Sequence, residues 1–438
     1  MDKVLVLGAG FVAGPLVRAF LKRKETEVRV ADIEPGKAEA LVGNHPSGKA
    51  VGLDLADESA LAKQIGWADV VVSLVPYALH PAVARLCVAR GKSVVSTSYV
   101  SEAMRELDAE ARRAGVALVN ETGLDPGIDH MEAMRIIDGV KASGGRVLEF
   151  SSYCGGLPAP ESNTNPFGYK FSWSPRGVLL AGKNAARYLK DGREVYISGE
   201  DLFDNTRTVS IDSLGDFEAY PNRNSIPYVE LYGIPGARTM VRGTLRYQGW
   251  CDTLKKISEI GLLDTTEKNL AGMTGIKFIR SILGMPSDWN AKKAVRDRFK
   301  LDAKVLDRLD WLGLFSEEPL GLERGAAIDL LESLMRKKLR YAAGERDMVV
   351  LRHELLVEGQ NGGRERITST LVDYGVPGGD SAMARTVAYP AAAAARLILE
   401  GRLGLTGVLI PVVRELYIPI LEEIRAEGIV FTEERRSA

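Results

Sequence analysis

Lys3-Val-Leu-Val-Leu-Gly8-Ala-Gly10-Phe11-Val12-Ala13-Gly-Pro-Leu16 opens the chain, and the next apolar run, Val28-Arg-Val-Ala-Asp32, ends on an acid. A short apolar run entering glycine reads as a buried strand that stops at a tight turn, and the segment after it has helical spacing. Gly8 permits the turn, Gly10 lets a pyrophosphate approach the backbone, and Ala13 lets the helix pack close to the strand. The helix N-terminus then offers N–H groups and partial positive charge to phosphates. Asp32 stands at the spacing of an acid that binds ribose hydroxyls. Together these features predict a dinucleotide site. A turn of the same kind in a βαβ unit that binds nothing is the alternative.

The alternation continues to residue 126. Apolar runs at Val4–Leu7, Val28–Ala31, Val70–Val75, Val94–Thr97 and Val116–Val119 alternate with helical patterns at Pro15–Lys24, Lys37–Val42, Ser59–Gln64, Pro81–Arg90 and Ser101–Ala114. Repeated strand and helix with β-branched strands predicts a Rossmann-type doubly wound parallel sheet. Ligands of such sheets gather beyond the carboxyl ends of the strands. That rule collects Gly8–Ala13, Asp32, Leu74–Pro76, Thr97–Tyr99 and Glu121–Asp125 around one crevice.

Beyond residue 127 the texture changes. Val147–Cys154, Arg238–Tyr247, Asp347–Val357 and Glu365–Asp373 read as strands, the last two flanking the hairpin signal Gly359-Gln-Asn-Gly-Gly363. Leu254–Leu263, Leu270–Leu283, Ala291–Leu312 and Ala326–Leu339 carry apolar residues at helical spacing. The expected class is therefore α/β: the parallel-sheet domain plus an α+β mixed-sheet substrate domain with a helical insertion. The expected boundaries are 1–126 with a C-terminal return at 390–438 for the first domain. The second takes 127–251 and 341–389, and the helical insertion takes 252–340. Pro390–Glu400 reads as helix, and Pro411–Ile429 is expected to pack back on the first domain.

Composition narrows the class. The 438 residues are 45% hydrophobic and 26% charged with a net charge of −1, which argues against general attraction to nucleic acid or membrane. Cys87, Cys154 and Cys251 form no CxxC pair and the four histidines are scattered, so neither a disulfide framework nor a metal site is indicated. The chain enters its first strand without a leader pattern and has no apolar run long enough to span a bilayer. A cytoplasmic enzyme is expected.

Several stretches carry chemistry. Thr97-Ser98-Tyr99 follows a strand and faces the crevice, so the Tyr99 hydroxyl either meets substrate or covers the cofactor. Asn120-Glu-Thr-Gly-Leu-Asp125-Pro-Gly-Ile-Asp129-His130 places Glu121, Asp125 and Asp129 close enough to shift one another's proton affinity, which acid–base catalysis exploits. Asp125 is read as functional, Asp129 as helix-capping and His130 as structural. Ser152-Tyr-Cys154-Gly-Gly-Leu-Pro-Ala-Pro160 ends a strand in a glycine-proline loop, where the Cys154 thiol is either a weak acid or a packed residue. Cys87 is read as core. Phe167-Gly-Tyr-Lys170-Phe-Ser-Trp173-Ser174-Pro-Arg176 either closes over a ligand or forms aromatic core. The loops Tyr220-Pro-Asn-Arg223 and Arg242-Gly-Thr244-Leu245-Arg246 set arginines among small polar residues, which suits bidentate carboxylate capture.

Taken together these segments resemble the glutamate-forming saccharopine dehydrogenase (saccharopine reductase) family. The matching stretches include Gly8-Ala-Gly-Phe-Val-Ala-Gly-Pro, Ser73-Leu-Val-Pro-Tyr-Ala-Leu-His-Pro, Gly123-Leu-Asp-Pro-Gly-Ile-Asp-His, Tyr153-Cys-Gly-Gly-Leu-Pro-Ala-Pro-Glu and Gly168-Tyr-Lys-Phe-Ser-Trp-Ser-Pro-Arg. Residues 252–340 match least. The resemblance implies reversible, nicotinamide-dependent oxidation of saccharopine, followed by hydrolysis of the imine to L-glutamate and 2-aminoadipate 6-semialdehyde. It implies that Gly8, Gly10, Phe11, Val12, Ala13, Asp32, Ile33, Asp54, Leu74, Val75, Thr97, Ser98, Leu124 and Ser174 border NAD or NADP. It likewise implies that Ser98, Tyr99, Asp125, Arg223, Thr244, Leu245 and Arg246 contact saccharopine, with Cys154 near the reacting centre, and that the enzyme is a homodimer. Imine chemistry needs proton transfer to nitrogen and water, and Asp125, Tyr99 and Cys154 are the groups available for it.

One departure concerns the cofactor. Many members carry an arginine near the end of the second strand, where this chain reads Ala31-Asp32-Ile33-Glu34. A carboxylate there accepts ribose hydroxyls and repels a 2′-phosphate, so NAD is expected over NADP. The competing readings are a related Schiff-base reductase forming carboxynorspermidine or homospermidine, and a non-catalytic nucleotide sensor. The first should lack the Cys154 and Arg223 segments; the second has no need of Asp125, Cys154 and the arginines.

Overall fold

The computed structural model describes residues 1–287 and 289–438, which form two units. The first comprises Met1–Val147, Glu230–Ile234 and Leu355–Ala438. Its centre is a parallel sheet of β1 (Asp2–Leu7), β2 (Thr26–Asp32), β3 (Gly48–Gly52), β4 (Val70–Ser73), β5 (Ser93–Ser96), β6 (Ala117–Val119) and a seventh strand, Gly407–Leu409. The spatial order is Gly407–Leu409, β6, β5, β4, β1, β2, β3, with every adjacent pair parallel. Val4–Leu7 and Val70–Val72 are fully buried because helices cover both faces of the sheet. The strand order reverses between β1 and β4, so the carboxyl ends of these two strands flank the switch point where such sheets bind ligands.

The C-terminal segment Leu355–Ala438 completes this unit. Helix Ala382–Leu399 packs on helix Ala13–Leu21, and the alanines 391–395 are fully buried. A row of methyl side chains lets one helix approach another closely. Helix Arg414–Ala426 packs against Ala382–Leu399 and Ile128–Ala142. The strand Phe431–Ser437 pairs antiparallel with Arg364–Tyr374.

The second unit comprises Leu148–Val229 and Pro235–Glu354. Most of β7 (Arg146–Pro158) lies here with β8 (Ala186–Lys190), β9 (Arg193–Ile197), β10 (Arg207–Ile211), β11 (Gly215–Pro221) and β12 (Thr239–Tyr247). The strands run in the order β10, β11, β12, β7 and then Asp347–Glu358, while β8 pairs with β9 and the start of β12. β7 and β12 are parallel; β10, β11 and β12 are antiparallel neighbours. Five helices, Trp250–Ile260, Gly275–Leu283, Ala291–Phe299, Ala303–Leu312 and Ala327–Lys338, occupy the region read as a helical insertion.

Two expectations need correction here. Cys154-Gly-Gly-Leu-Pro158 is not a loop but the continuation of β7, buried throughout. Its glycines serve close packing rather than turning: a Cβ on Gly155 would stand 2.8 Å from the Leu245 carbonyl oxygen. Arg242–Arg246, read both as part of the strand Arg238–Tyr247 and as a carboxylate-binding loop, is strand: it forms the interior of β12.

Candidate active site

The glycine turn has the shape a dinucleotide requires. Gly8 adopts φ +100°, and a Cβ there would lie 2.9 Å from the Leu74 carbonyl oxygen beyond β4. A Cβ on Gly10 would meet nothing within 4 Å, so open space faces that backbone. Helix Ala13–Leu21 starts at Val12 with no side-chain cap, and its first N–H, on Ala13, bonds the Gly10 carbonyl at 3.2 Å. Asp32 bridges the turn and the second strand: Ala9 N–H donates to Oδ2 at 2.7 Å and Glu34 N–H to Oδ1 at 2.9 Å. Phe11 and Ile33 are both more than two-thirds exposed beside it. These residues fit a nicotinamide dinucleotide, with phosphates at the helix start and a ribose at Asp32. Asp54 is exposed beyond β3 and accepts from Ala56 N–H in a local turn. Leu74, Val75 and Thr97 are half-buried at the ends of β4 and β5, and Leu124 is buried.

Beyond β5 and β6 the same unit gathers the acid–base candidates. The Tyr99 hydroxyl donates to Asp125 Oδ1 at 3.0 Å, and both side chains are half-buried. Glu121 lies beneath them at φ +57°, with its own N–H held by the Ser98 carbonyl. Its Oε1 accepts from Val100 N–H at 2.9 Å and its Oε2 from His130 Nε2 at 2.8 Å. His130 is fully buried, and its Nδ1 bonds the Tyr232 hydroxyl at 2.6 Å. One buried carboxylate and one imidazole thus tie the Tyr99 loop to the loop of Asp125. Asp129 accepts from Gly127 N–H at 2.6 Å, the helix-start role expected of it.

His80 and Tyr232 join the site with no role expected of them from sequence. His80 bonds Ser73 Oγ through Nδ1 and Ser98 Oγ through Nε2, each at 2.9 Å. Burial lowers its pKa to about 4, so the ring is neutral at neutral pH. The signal was present, because Ser73 and His80 bracket a matched motif next to a strand end. Tyr232 carried none, since it enters this unit from residues 230–234, far off in sequence.

In the second unit Arg242 and Arg246 share one sheet face, and Arg223 lies outside the sheet. Thr244 is in register with Cys154 on β7 and with Tyr220 on β11, and Arg246 with Glu218. Side chains two residues apart on a strand point the same way, so Ser152, Cys154, Arg242, Thr244, Arg246 and Tyr220 line that face, with Leu245 on the other. Arg246 is 4% exposed, its guanidinium 5.0 Å from the Tyr169 ring centroid and 5.5 Å from that of Trp250. Arg242 is buried with its guanidinium 4.3 Å over the Tyr228 ring. Cys154 is buried within electrostatic reach of Arg246. Arg223 is exposed in the turn after β11 at φ +55°, its carbonyl accepting from Arg187 N–H. Ser174 is exposed and caps the short helix Pro175–Ala181. Phe167 and Tyr169 are fully buried core, whereas Phe171 and Trp173 in the same segment are half-buried. Cys87, read as core, is fully buried, and its thiol is pushed up to about 12 by that burial.

Comparison with known proteins accounts for the whole chain. Residues 4–119 match the family model of the saccharopine dehydrogenase NADP binding domain, and residues 123–429 that of the saccharopine dehydrogenase C-terminal domain. The L-glutamate-forming, NADP(+) saccharopine dehydrogenases of Schizosaccharomyces pombe and Saccharomyces cerevisiae are 40% and 42% identical to it, each over 99% of both chains. Bovine mitochondrial alpha-aminoadipic semialdehyde synthase is 38% identical over 98% of this chain, which spans 47% of that protein. The solved structure of the apo Saccharomyces cerevisiae saccharopine dehydrogenase (L-Glu forming) superposes with a TM-score of 0.91 at 40% identity, covering all of both chains. A family model over most of the chain and full-length relatives at this identity leave one assignment: the chain belongs to the saccharopine dehydrogenase family.

Proposed function

We propose that this chain catalyses the reversible oxidation of saccharopine to L-glutamate and 2-aminoadipate 6-semialdehyde. The observation that carries the reading is the collinear match to L-glutamate-forming enzymes over 99% of both chains. When bound, the nicotinamide ring supplies the hydride acceptor. The chain's own residues manage protons and charge. In the first unit, the hydrogen-bonded Tyr99 and Asp125 can take the amine proton as the carbon–nitrogen double bond forms. After releasing that proton to solvent, the same pair can take a proton from the water that adds to that bond and pass it to nitrogen, and then carry the proton of the new hydroxyl to the same nitrogen as the carbonyl forms and glutamate leaves. In the second unit, Arg242, Thr244 and Arg246 offer donors on one face, a chemistry suited to a substrate with three carboxylates. Cys154 on that face is the third proton-bearing group. Saccharopine-dependent change in nicotinamide absorbance tests the reading. No turnover with either cofactor, in either direction, overturns it.

The relatives' names specify NADP(+), whereas we propose that this chain prefers NAD. Asp32 stands at the spacing of an acid that accepts ribose hydroxyls and repels a 2′-phosphate, and Ile33 stands where many members carry arginine. The nearby exposed Lys37 ammonium pairs with Glu34. Steady-state kcat/KM for each cofactor tests the preference, and equal or better use of NADP overturns it. A homodimer, suggested by the family resemblance, is checked by sedimentation of the purified chain.

A further inference from the structure

The hydrogen-bond chain Ser73–His80–Ser98 has a direction, and the direction follows from burial. Ser73 is 1% exposed at the end of β4, and among the described residues its hydroxyl bonds only His80 Nδ1. If the imidazole carried its proton on Nδ1, it would donate to Ser73, and the Ser73 hydroxyl hydrogen would be buried without an acceptor. Such an orphan costs roughly 1–3 kcal/mol. The other arrangement satisfies every group: Ser73 O–H donates to Nδ1, and Nε2–H donates to Ser98 Oγ. The ring has a single proton to place because burial keeps it neutral. Ser98 is held further by its N–H on Ser96 Oγ at 3.1 Å and its carbonyl on Glu121 N–H at 3.1 Å. It sits half-buried next to Tyr99, beyond the carboxyl end of β5.

We propose that His80 is a positioning residue: by donating from Nε2–H to Ser98 Oγ, it commits the Ser98 hydroxyl hydrogen to an acceptor oxygen on a bound reactant. That oxygen belongs to a saccharopine carboxylate or to the dinucleotide. Ser98 is thereby a one-way donor, which selects an oxygen acceptor over an N–H group at that point. The inference rests on the reading that Ser98 faces the reactants.

The experiment combines spectroscopy with a mutant cycle. In the protein labelled with 15N-histidine, a neutral Nε2–H tautomer is expected for His80, assigned by its loss in His80→Leu. An Nδ1–H tautomer overturns the proposal without reference to activity. Ser98→Ala should raise KM for saccharopine, or Kd for the dinucleotide, by about tenfold, the worth of one such bond. Whichever constant moves identifies the acceptor. His80→Leu should move the same constant by a similar factor, the double variant no further, and His80→Gln should recover most of the loss because its amide can donate at the same place. Ser73→Ala, which touches no reactant, should move it in the same direction by releasing Nδ1. Unchanged constants in Ser98→Ala sink the placement of Ser98, and the relay with it. Additive effects of His80→Leu and Ser98→Ala sink the relay alone.

Discussion

Tyr99 donates its phenolic hydrogen to Asp125 across 3.0 Å, linking the loop after β5 to the loop after β6. The bond orients the Asp125 carboxylate. Asp125→Asn keeps the shape but cannot accept a proton. It should lower kcat/KM for saccharopine by about 10²–10⁴, with cofactor affinity and Tm little changed. Tyr99→Phe removes one hydrogen bond and should cost less, roughly tenfold, while moving the acid limb of the kcat/KM profile. An Asp125→Asn enzyme within a factor of about two of wild type would remove that residue from proton transfer.

Glu121 holds both loops from below, so its loss should be felt in stability and in rate. Glu121→Ala strands the Val100 N–H and the buried His130 ring, and each orphaned group costs roughly 1–3 kcal/mol. Urea denaturation should show a loss of about 2–5 kcal/mol. Glu121→Gln retains one acceptor and should lose less than half as much. Equal stabilities for the two variants would show that the hydrogen bonds through Glu121 carry no weight.

The parallel sheet was legible from periodicity because its strands are buried on both sides and read as unbroken apolar runs. The Gly8 turn was legible because the need for φ +100° leaves few residues to choose from. Cys154-Gly-Gly was misread because glycine signals both turns and close strand contact, and only the neighbouring Leu245 backbone tells them apart. The reading named Arg246 for carboxylates, yet its aromatic surround of Tyr169 and Trp250 comes from separate elements and leaves no local pattern. His80 and Tyr232 show the same limit: hydrogen-bond partners assembled by topology have no spacing rule in the sequence.

Asp32 does two jobs, and the cofactor switch must separate them. Its oxygens hold Ala9 N–H and Glu34 N–H as well as facing the ribose position. Asp32→Ala alone should weaken NAD use and lower Tm by several degrees, about 1 kcal/mol per lost bond. Adding Ile33→Arg should shift the ratio of kcat/KM toward NADP by about a hundredfold, corresponding to about 2.8 kcal/mol. If the ratio stays put in the double variant, the 2′-phosphate is not sensed at these positions.

Arg246 is a buried guanidinium whose Nε has no hydrogen-bond partner among the described residues. Replacing the buried guanidinium by an apolar side chain of similar length removes its desolvation penalty. Arg246→Met should therefore keep Tm within a few degrees, while KM for saccharopine rises by about tenfold or more and dinucleotide affinity stays constant. A large fall in Tm with normal KM would make the residue structural.

Burial of His80 also makes the fold acid-sensitive. The group titrates near 6.5 when unfolded and is lowered to about 4 in the fold by desolvation. Between those values the unfolded chain binds a proton that the folded chain does not. Stability therefore falls as pH drops through that window, and is fully present above it. At about pH 5 the loss from this one group should approach 2 kcal/mol relative to neutral pH, and its limit is about 3 kcal/mol. Urea unfolding of wild type and His80→Gln at both pH values measures it. The variant starts from lower stability at neutral pH but should lose about 2 kcal/mol less on acidification. Parallel losses in the two proteins would place the acid-sensitive group elsewhere.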